Sequence, residues 1–382
     1  MHDAYIVAAV RSPVGKKNGA LSSAHPADLG AHVLAALIDR SGIDPALVDD
    51  VIFGCVDQIG AQSFNIARTA WLSAGLPESV PGTTVDRACG SSQQALHFAA
   101  QAIQSGAQDM VIAGGVEVMS LVPIVSSGTV GAAAGMGEPL GGHGWKKRFG
   151  DYEFNQFHAA EKIAQQWGIT RPEMDEFAFN SHNRALEATS RGDFAEEIAP
   201  WDGVSVDEGP RADTSLERLA ALKPLLADGM LTAGLSSQIS DGAAALLLAS
   251  ETVVRREGLV PLARVHTMAV TGSDAHLMLT GPIPATAKVL ARAGLTADDL
   301  DVIEINEAFA PVVLAWQKET GADPARVNPN GGGIALGHPL GATGARLMTT
   351  LANHLTRHQL RYGLQLMCEG VGMANAMIIE RA

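Results

Sequence analysis

Residues 37–54, LIDRSGIDPALVDDVIFG, and residues 290–306, LARAGLTADDLDVIEIN, run the same course. Each is a helix end closed by a glycine (Gly42, Gly294), then an acidic turn, then a Val-Ile strand. The offset of about 250 residues carries Cys89 to a position beside His338. A helical pattern follows each of these two, and each helix leads to a strand that ends in glycine, at 110–114 and 364–370. Several elements repeating in order indicate an internal duplication. That constrains the fold more than any local propensity. Whatever one half builds, the other builds again, and equivalent loops of the two halves come together at one end of the sheet.

Each half alternates short apolar runs with helical periodicity, the pattern of an α/β sheet covered by helices. Strands are expected at 5–10, 51–53, 83–85 and 110–113, and helices at 27–40, 65–74 and 91–104. Residues 116–240 interrupt the alternation. They open Gly/Pro/Ser-rich, continue into an amphipathic helix with Met174, Phe177, Ala178, Ser181, Ala185 and Ala188 on one stripe, and pass into polar turns. The expected organisation is a first half at 1–115 plus 241–262, an inserted domain at 116–240 that carries binding surface, and a second half at 263–382.

The net charge of −14 leaves Lys146, Lys147 and Arg148 as the longest basic cluster, too small a footprint for nucleic acid. The three cysteines, Cys55, Cys89 and Cys368, make neither a disulfide framework nor a zinc-ligand spacing. With no signal-peptide pattern at the start and no apolar run long enough to span a bilayer, a cytoplasmic protein with no metal and no membrane partner is expected.

Cys89 sits in VDRACGSSQQ, just ahead of a helix. A lone cysteine is commonly a small buried hydrophobe. At a helix N-terminus, however, free N–H groups and the dipole favour a thiolate, which makes a nucleophile if a base lies nearby. His338 lies among six glycines in VNPNGGGIALGHPLGATG. That loop lacks the Gly-Lys-Ser/Thr end of a P-loop and the G-x-G-x-x-G fingerprint; its glycines let backbone approach a ligand closely. Asn306 follows a strand and is either a helix cap or a site residue. Cys368 ends another strand and is either core or functional. Cys55 reads as structural.

DRACGSSQQA, INEAFAPV, NPNGGGIALGHPLGATGAR and MCEGVGMANAMIIE resemble the four signature blocks of the thiolases, and TAGLSSQISDGAAA resembles a fifth. The resemblance spans essentially the whole chain, in order. It implies a duplicated αβαβα five-layer core with a loop domain inserted in the first half. It further implies the acyl-accepting nucleophile at Cys89, its activating base at His338, and a second acid/base at Cys368. Asn306 and His338 would serve one oxyanion hole, and the N–H groups of Cys89 and Gly370 the other. No cofactor is held permanently; coenzyme A is a co-substrate, contacted by His158, Arg211 and Ser237. The implied partners are acyl-CoA and CoA, and the implied assembly is a homodimer or homotetramer.

Within the resemblance, the expected activity is thiolytic cleavage of 3-ketoacyl-CoA. The alternatives are a biosynthetic acetoacetyl-CoA thiolase, which shares every catalytic residue, and a non-catalytic lipid-binding relative, which would have lost one. A decarboxylating ketoacyl synthase would replace Cys368. The fifth block departs from the family pattern at Leu235, Gln238 and Ser240. Leu235 is expected to touch the acyl body, and Gln238 to narrow one wall so that the pocket opens elsewhere, in the 120–150 stretch. That favours medium, branched or ring-bearing substrates, as in degradative thiolases of an actinobacterial type.

Overall fold

The computed structural model describes residues 2–382. Its strands are β1 (Ala4–Arg11), β2 (Gly15–Lys16), β3 (Asp50–Gly54), β4 (Gly82–Val85), β5 (Met110–Val118), β6 (Ser240–Ser250), β7 (Ala263–Gly272), β8 (Val302–Ile305), β9 (Tyr362–Glu369) and β10 (Met373–Arg381). They form one sheet in the order β4-β3-β5-β6-β1-β7-β10-β9-β8, with β2 on β6. The order is a palindrome of two half-sheets. In each, a parallel pair (β3 with β5, β8 with β9) is followed by antiparallel neighbours. The halves meet where β1 pairs with β7, through Tyr5 and Ile6 alone.

The duplication predicted from 37–54 and 290–306 is visible turn by turn. The helices Pro26–Ser41 and Pro282–Ala293 both end on a left-handed glycine, Gly42 at φ 66° and Gly294 at φ 68°. Each is followed by a 3-10 turn, Pro45–Leu47 or Ala297–Asp299, and then by β3 or β8. Left-handed φ without a Cβ penalty is what glycine supplies at a helix C-terminus.

Helices Ser91–Ser105 and Leu340–His358 lie between the half-sheets and are buried along most of their length. The apolar layer around them joins Leu96, Ala99 and Ile103 to Met348 and Leu351, and to Leu246 and Leu248 of β6. A second layer packs helices Pro26–Ser41 and Ile66–Ser73 on the outer face of the first half-sheet. A third packs Pro282–Ala293 and Ala310–Thr320 on the outer face of the second. The result is five layers, helix-sheet-helix-sheet-helix.

Between β5 and β6 the chain leaves the sheet. Its longest helix there, Arg171–Arg191, buries Met174, Ala178, Ser181, Ala185 and Ala188 on the predicted stripe, with Phe177 half-buried. Thr170 and Glu173 close its N-terminus as a capping box. No helix among the described residues is long and apolar enough to cross a membrane.

Candidate active site

Cys89 and His338 each stand two residues ahead of a central helix, Ser91–Ser105 and Leu340–His358 respectively. The sequence places these helix starts against one another. The Ser92 hydroxyl accepts the Ala345 N–H at 2.9 Å, tying one helix to the other. A Cβ on Gly341 would lie 2.7 Å from the Cys55 Cα and 2.8 Å from the Gly54 carbonyl oxygen, so only glycine lets the second helix start this close to β3. The carboxylate of Glu117, at the end of β5, accepts the Gly341 N–H at 2.8 Å and the Val56 N–H at 2.9 Å, fixing the same junction from below.

His338 is buried, and its neighbours fix its tautomer. The Thr343 hydroxyl gives its proton to the Pro339 carbonyl at 2.8 Å. It can therefore only accept from His338 Nδ1, 2.6 Å away. That leaves the Nε2 lone pair facing the cleft, where Asn306 Nδ2 lies at 3.3 Å. Asn306 Nδ2 also lies 3.9 Å from Cys368 Sγ, and the Cys368 thiol is 4.0 Å from the Asn306 carbonyl oxygen. Burial, and then the Arg346 charge, lower the His338 pKa to about 3, so the ring is neutral near pH 7.

Cys89 is partly exposed. Its thiol pKa is raised by burial, then by the proximity of Cys368 and Glu369. The expected thiolate at the helix N-terminus is thus a neutral thiol at rest, because desolvation outweighs the dipole. Cys368 is fully buried, and burial pushes its thiol up to about 12 while the Asn306 side chain pulls it down. Gly370 lies against Ala88: a Cβ there would sit 3.8 Å from the Ala88 Cβ. Neither the Cys89 N–H nor the Gly370 N–H donates to a carbonyl or side chain among the described residues. Ala88, just ahead of Cys89, is held at φ 45°, a conformation an L-residue adopts at a cost.

A cavity of about 150 Å³ opens onto His338, lined by Met119, Ile124, Gln156, Phe157, Phe309 and Leu340. Its wall of Phe157, Ser236, Ser237, Gln238 and Ile239 is shared with an outer groove of about 880 Å³. Lys16, Lys17 and Arg211 stand on that groove. Glu208 and Asp213 share the groove with these three cations, and the route from that rim to the histidine suits an extended ligand with a polar head and a small reactive end.

Of the residues picked from sequence, the structure brings His338, Asn306, Cys368, Cys89 and Gly370 to one place. Ser237 and Arg211 line the groove. His158 does not: it is exposed on helix Gln156–Gln166, two residues and therefore about 200° round from Gln156. Leu235 also departs from expectation. It is fully buried in the core of the inserted region and lines neither cavity nor groove. Gln238 does form a wall, its amide donating to the carbonyls of Gly209, Ile334 and Ala335. Cys55 is structural as read, buried with its Sγ 3.8 Å from Glu117. Sequence reasoning missed Thr343 and Glu369. Thr343 carries a usable signal, a hydroxyl one helical turn into the helix that His338 heads. Glu369 carries none, because its burial depends on Gly90 having no side chain to meet it.

Two family models cover the chain: the thiolase N-terminal domain matches residues 4–252 and the thiolase C-terminal domain residues 259–381. The chain is 56% identical to a steroid 3-ketoacyl-CoA thiolase, FadA6, of Mycobacterium tuberculosis, over 100% of this chain and 95% of that protein. It is 45% identical to a 3-oxoadipyl-CoA/3-oxo-5,6-dehydrosuberyl-CoA thiolase of Escherichia coli, over the full length of both. The crystal structure of the Bacillus anthracis acetyl-CoA acetyltransferase superimposes with a TM-score of 0.91 at 40% identity, covering 100% of this chain and 99% of that one.

Proposed function

The chain belongs to the thiolase family and is an acyltransferase, and from that premise we propose how its residues divide the cleavage of a 3-ketoacyl-CoA. His338 Nε2 takes the Cys89 proton as Sγ attacks the 3-keto carbon. The bond between carbons 2 and 3 then breaks, leaving an acyl group on Cys89 and the enolate of acetyl-CoA or propionyl-CoA. The Nε2–H of His338 and the Asn306 amide hold the enolate oxygen, directly or through water. Cys368 gives its proton to carbon 2. In the second half-reaction CoA loses its thiol proton to Cys368 and attacks the acyl group, and Cys89 leaves and recovers its proton from His338. The free N–H groups of Cys89 and Gly370 are suited to the tetrahedral oxyanion, and each such donor removes on the order of 3 kcal/mol from a barrier of this kind.

The observation that carries this reading is the hydrogen-bond chain Pro339–Thr343–His338–Asn306. It holds a neutral imidazole with its basic nitrogen turned into the cleft beside the Asn306 amide, and two half-reactions on one covalent intermediate require such a proton acceptor. CoA would lie along the outer groove, its phosphates by Lys16, Lys17 and Arg211 and its pantetheine past Ser237. Ring-bearing or medium-length acyl groups are the proposed substrates. The 56% identity to a steroid 3-ketoacyl-CoA thiolase supports that choice; Leu235 does not. The test compares kcat/KM for acetoacetyl-CoA with that for a 3-ketoacyl-CoA of about eight carbons or more. A clear preference for the four-carbon substrate would make this a biosynthetic enzyme.

The same reading makes the protein a cytoplasmic homodimer or homotetramer. Support comes from its three free cysteines and from β4, a sheet-edge strand in a region that exposes Phe64 and Phe98.

A further inference from the structure

Residues 123–158 contain no buried residue, yet Ile124 and Phe157, near the two ends of this strap, line the cavity over His338. The strap is held near its far end by an aromatic cluster. His276 lies 4.6 Å from Tyr152, 5.7 Å from Phe149 and 5.9 Å from Phe154, centroid to centroid. At its near end the attachment is different. Helix Ser126–Ala133 has no side-chain cap of its own; its N-cap is Val125, at φ 65°. The cap comes from elsewhere in the chain. Asp57 accepts the Val125 N–H at 3.0 Å on one carboxylate oxygen, and the Ser127 N–H at 2.9 Å and Ser127 hydroxyl at 3.0 Å on the other.

Asp57 is itself 1% exposed, and its backbone is fixed. Its N–H donates to Glu117 at 3.2 Å, and Glu117 also holds Gly341, three residues beyond His338. One continuous set of hydrogen bonds therefore joins the start of the histidine helix to Val125 and Ser127, next along the strap from Ile124, which walls the cavity. That cavity, at about 150 Å³, falls below the range of roughly 300–1,000 Å³ that accommodates drug-sized ligands. A ring-bearing acyl group needs the strap displaced. Displacing the near end alone exposes little apolar surface, because Val125 and Val130 are already exposed; its main cost is the three bonds to Asp57.

We infer that Asp57 is a positioning residue for acyl size: by capping the strap helix it sets how far Ile124 closes over the substrate. The inference rests on the 3-ketoacyl-CoA reading above and adds to it a determinant of selectivity that lies outside the reacting groups.

The experiment measures kcat and KM for acetoacetyl-CoA and for 3-cyclohexyl-3-oxopropanoyl-CoA. It uses the full-length wild type, Asp57→Ala and Ser127→Pro. Proline is tolerated in a first helical turn, and here it removes the Ser127 N–H and hydroxyl, two of the three bonds, without changing Asp57. In both variants the ratio of kcat/KM, ring substrate over acetoacetyl-CoA, should rise by roughly 5-fold, the equilibrium equivalent of a lost helix cap. The change should lie mainly in KM for the ring substrate, and the Val125 amide should exchange with solvent faster in Asp57→Ala. If Asp57→Ala does not fold, Ser127→Pro decides. A wild type that cleaves only acetoacetyl-CoA still tests the inference, since the freed strap should then bring the ring substrate into detectable turnover. A ratio that stays level or falls in Ser127→Pro overturns the role of Asp57 and leaves the thiolase reading standing. A wild type that cleaves neither substrate overturns that reading.

Discussion

Cys89 and His338 occupy equivalent turns, each two residues ahead of a central helix, but the two turns are finished differently. The first leaves its residue partly exposed, beside two unspent N–H groups, with the preceding residue held at positive φ. The second buries its side chain and anchors it from behind through Thr343. A duplicated architecture supplied two helix starts at one point. One was opened towards the substrate, and the other was closed around a base whose protonation state its neighbours control. What separates nucleophile from base here is the surroundings of the turn rather than the turn itself.

If that contrast holds, removing the closed side and removing the second cysteine should damage different steps. His338→Ala should slow acylation of Cys89 by a factor on the order of 10²–10⁴, the usual contribution of a positioned base. Cys368→Ala should still be acylated by an acyl-CoA and should lose cleavage between carbons 2 and 3, because only that step moves a proton at carbon. Stopped-flow acylation and steady-state cleavage separate the two. Wild-type cleavage by Cys368→Ala would remove its proposed role.

Thr343→Val tests the anchoring directly. It leaves Nδ1–H without an acceptor and frees the ring to turn or change tautomer. The expected loss is about 10-fold in kcat, matching a hydrogen bond of roughly 1–1.5 kcal/mol, with Thr343→Ser restoring most of it. Equal losses in the valine and serine variants would point to packing instead.

The smallest expected effect is on the alkaline side of the pH profile. Burial holds the Glu369 carboxyl up at about 8 against the pull of Arg87 and of the Asn375 backbone. Below that pH it is neutral. Above it, an anion lies by Gly90 and raises both the Cys89 and Cys368 thiols further. Activity should therefore decline above about pH 8 in the wild type, and the decline should move to higher pH in Glu369→Gln. Because the His338 pKa is lowered to about 3, the acid side should show no limb near 6.5, the ordinary histidine value. A limb there that vanishes in a His338 variant would contradict the buried, neutral base.

Much of this was legible in the chain. The repeat at 37–54 and 290–306 gave the palindromic sheet, since glycine caps and Val-Ile strands are local signals that survive folding. The clustering of Cys89, His338, Asn306 and Cys368 was legible too, because each stands at the end of a strand or the start of a helix of one sheet. Leu235 was not legible: it was chosen by position in a motif, but core packing takes it inward. The Cys89 thiol was expected to be acidic from its helix terminus alone, whereas desolvation by groups distant in sequence reverses the sign. Thr343 and Asp57 act through contacts that only the folded chain creates.

The most direct test of the contrast between the two turns is to locate the acyl group. Wild-type protein is incubated with an acyl-CoA, quenched in acid, weighed intact and digested for peptide mapping. The account predicts one acyl adduct per chain, on the peptide that contains Cys89, and none in Cys89→Ser. An adduct carried instead by Cys368 or Cys55 would contradict it.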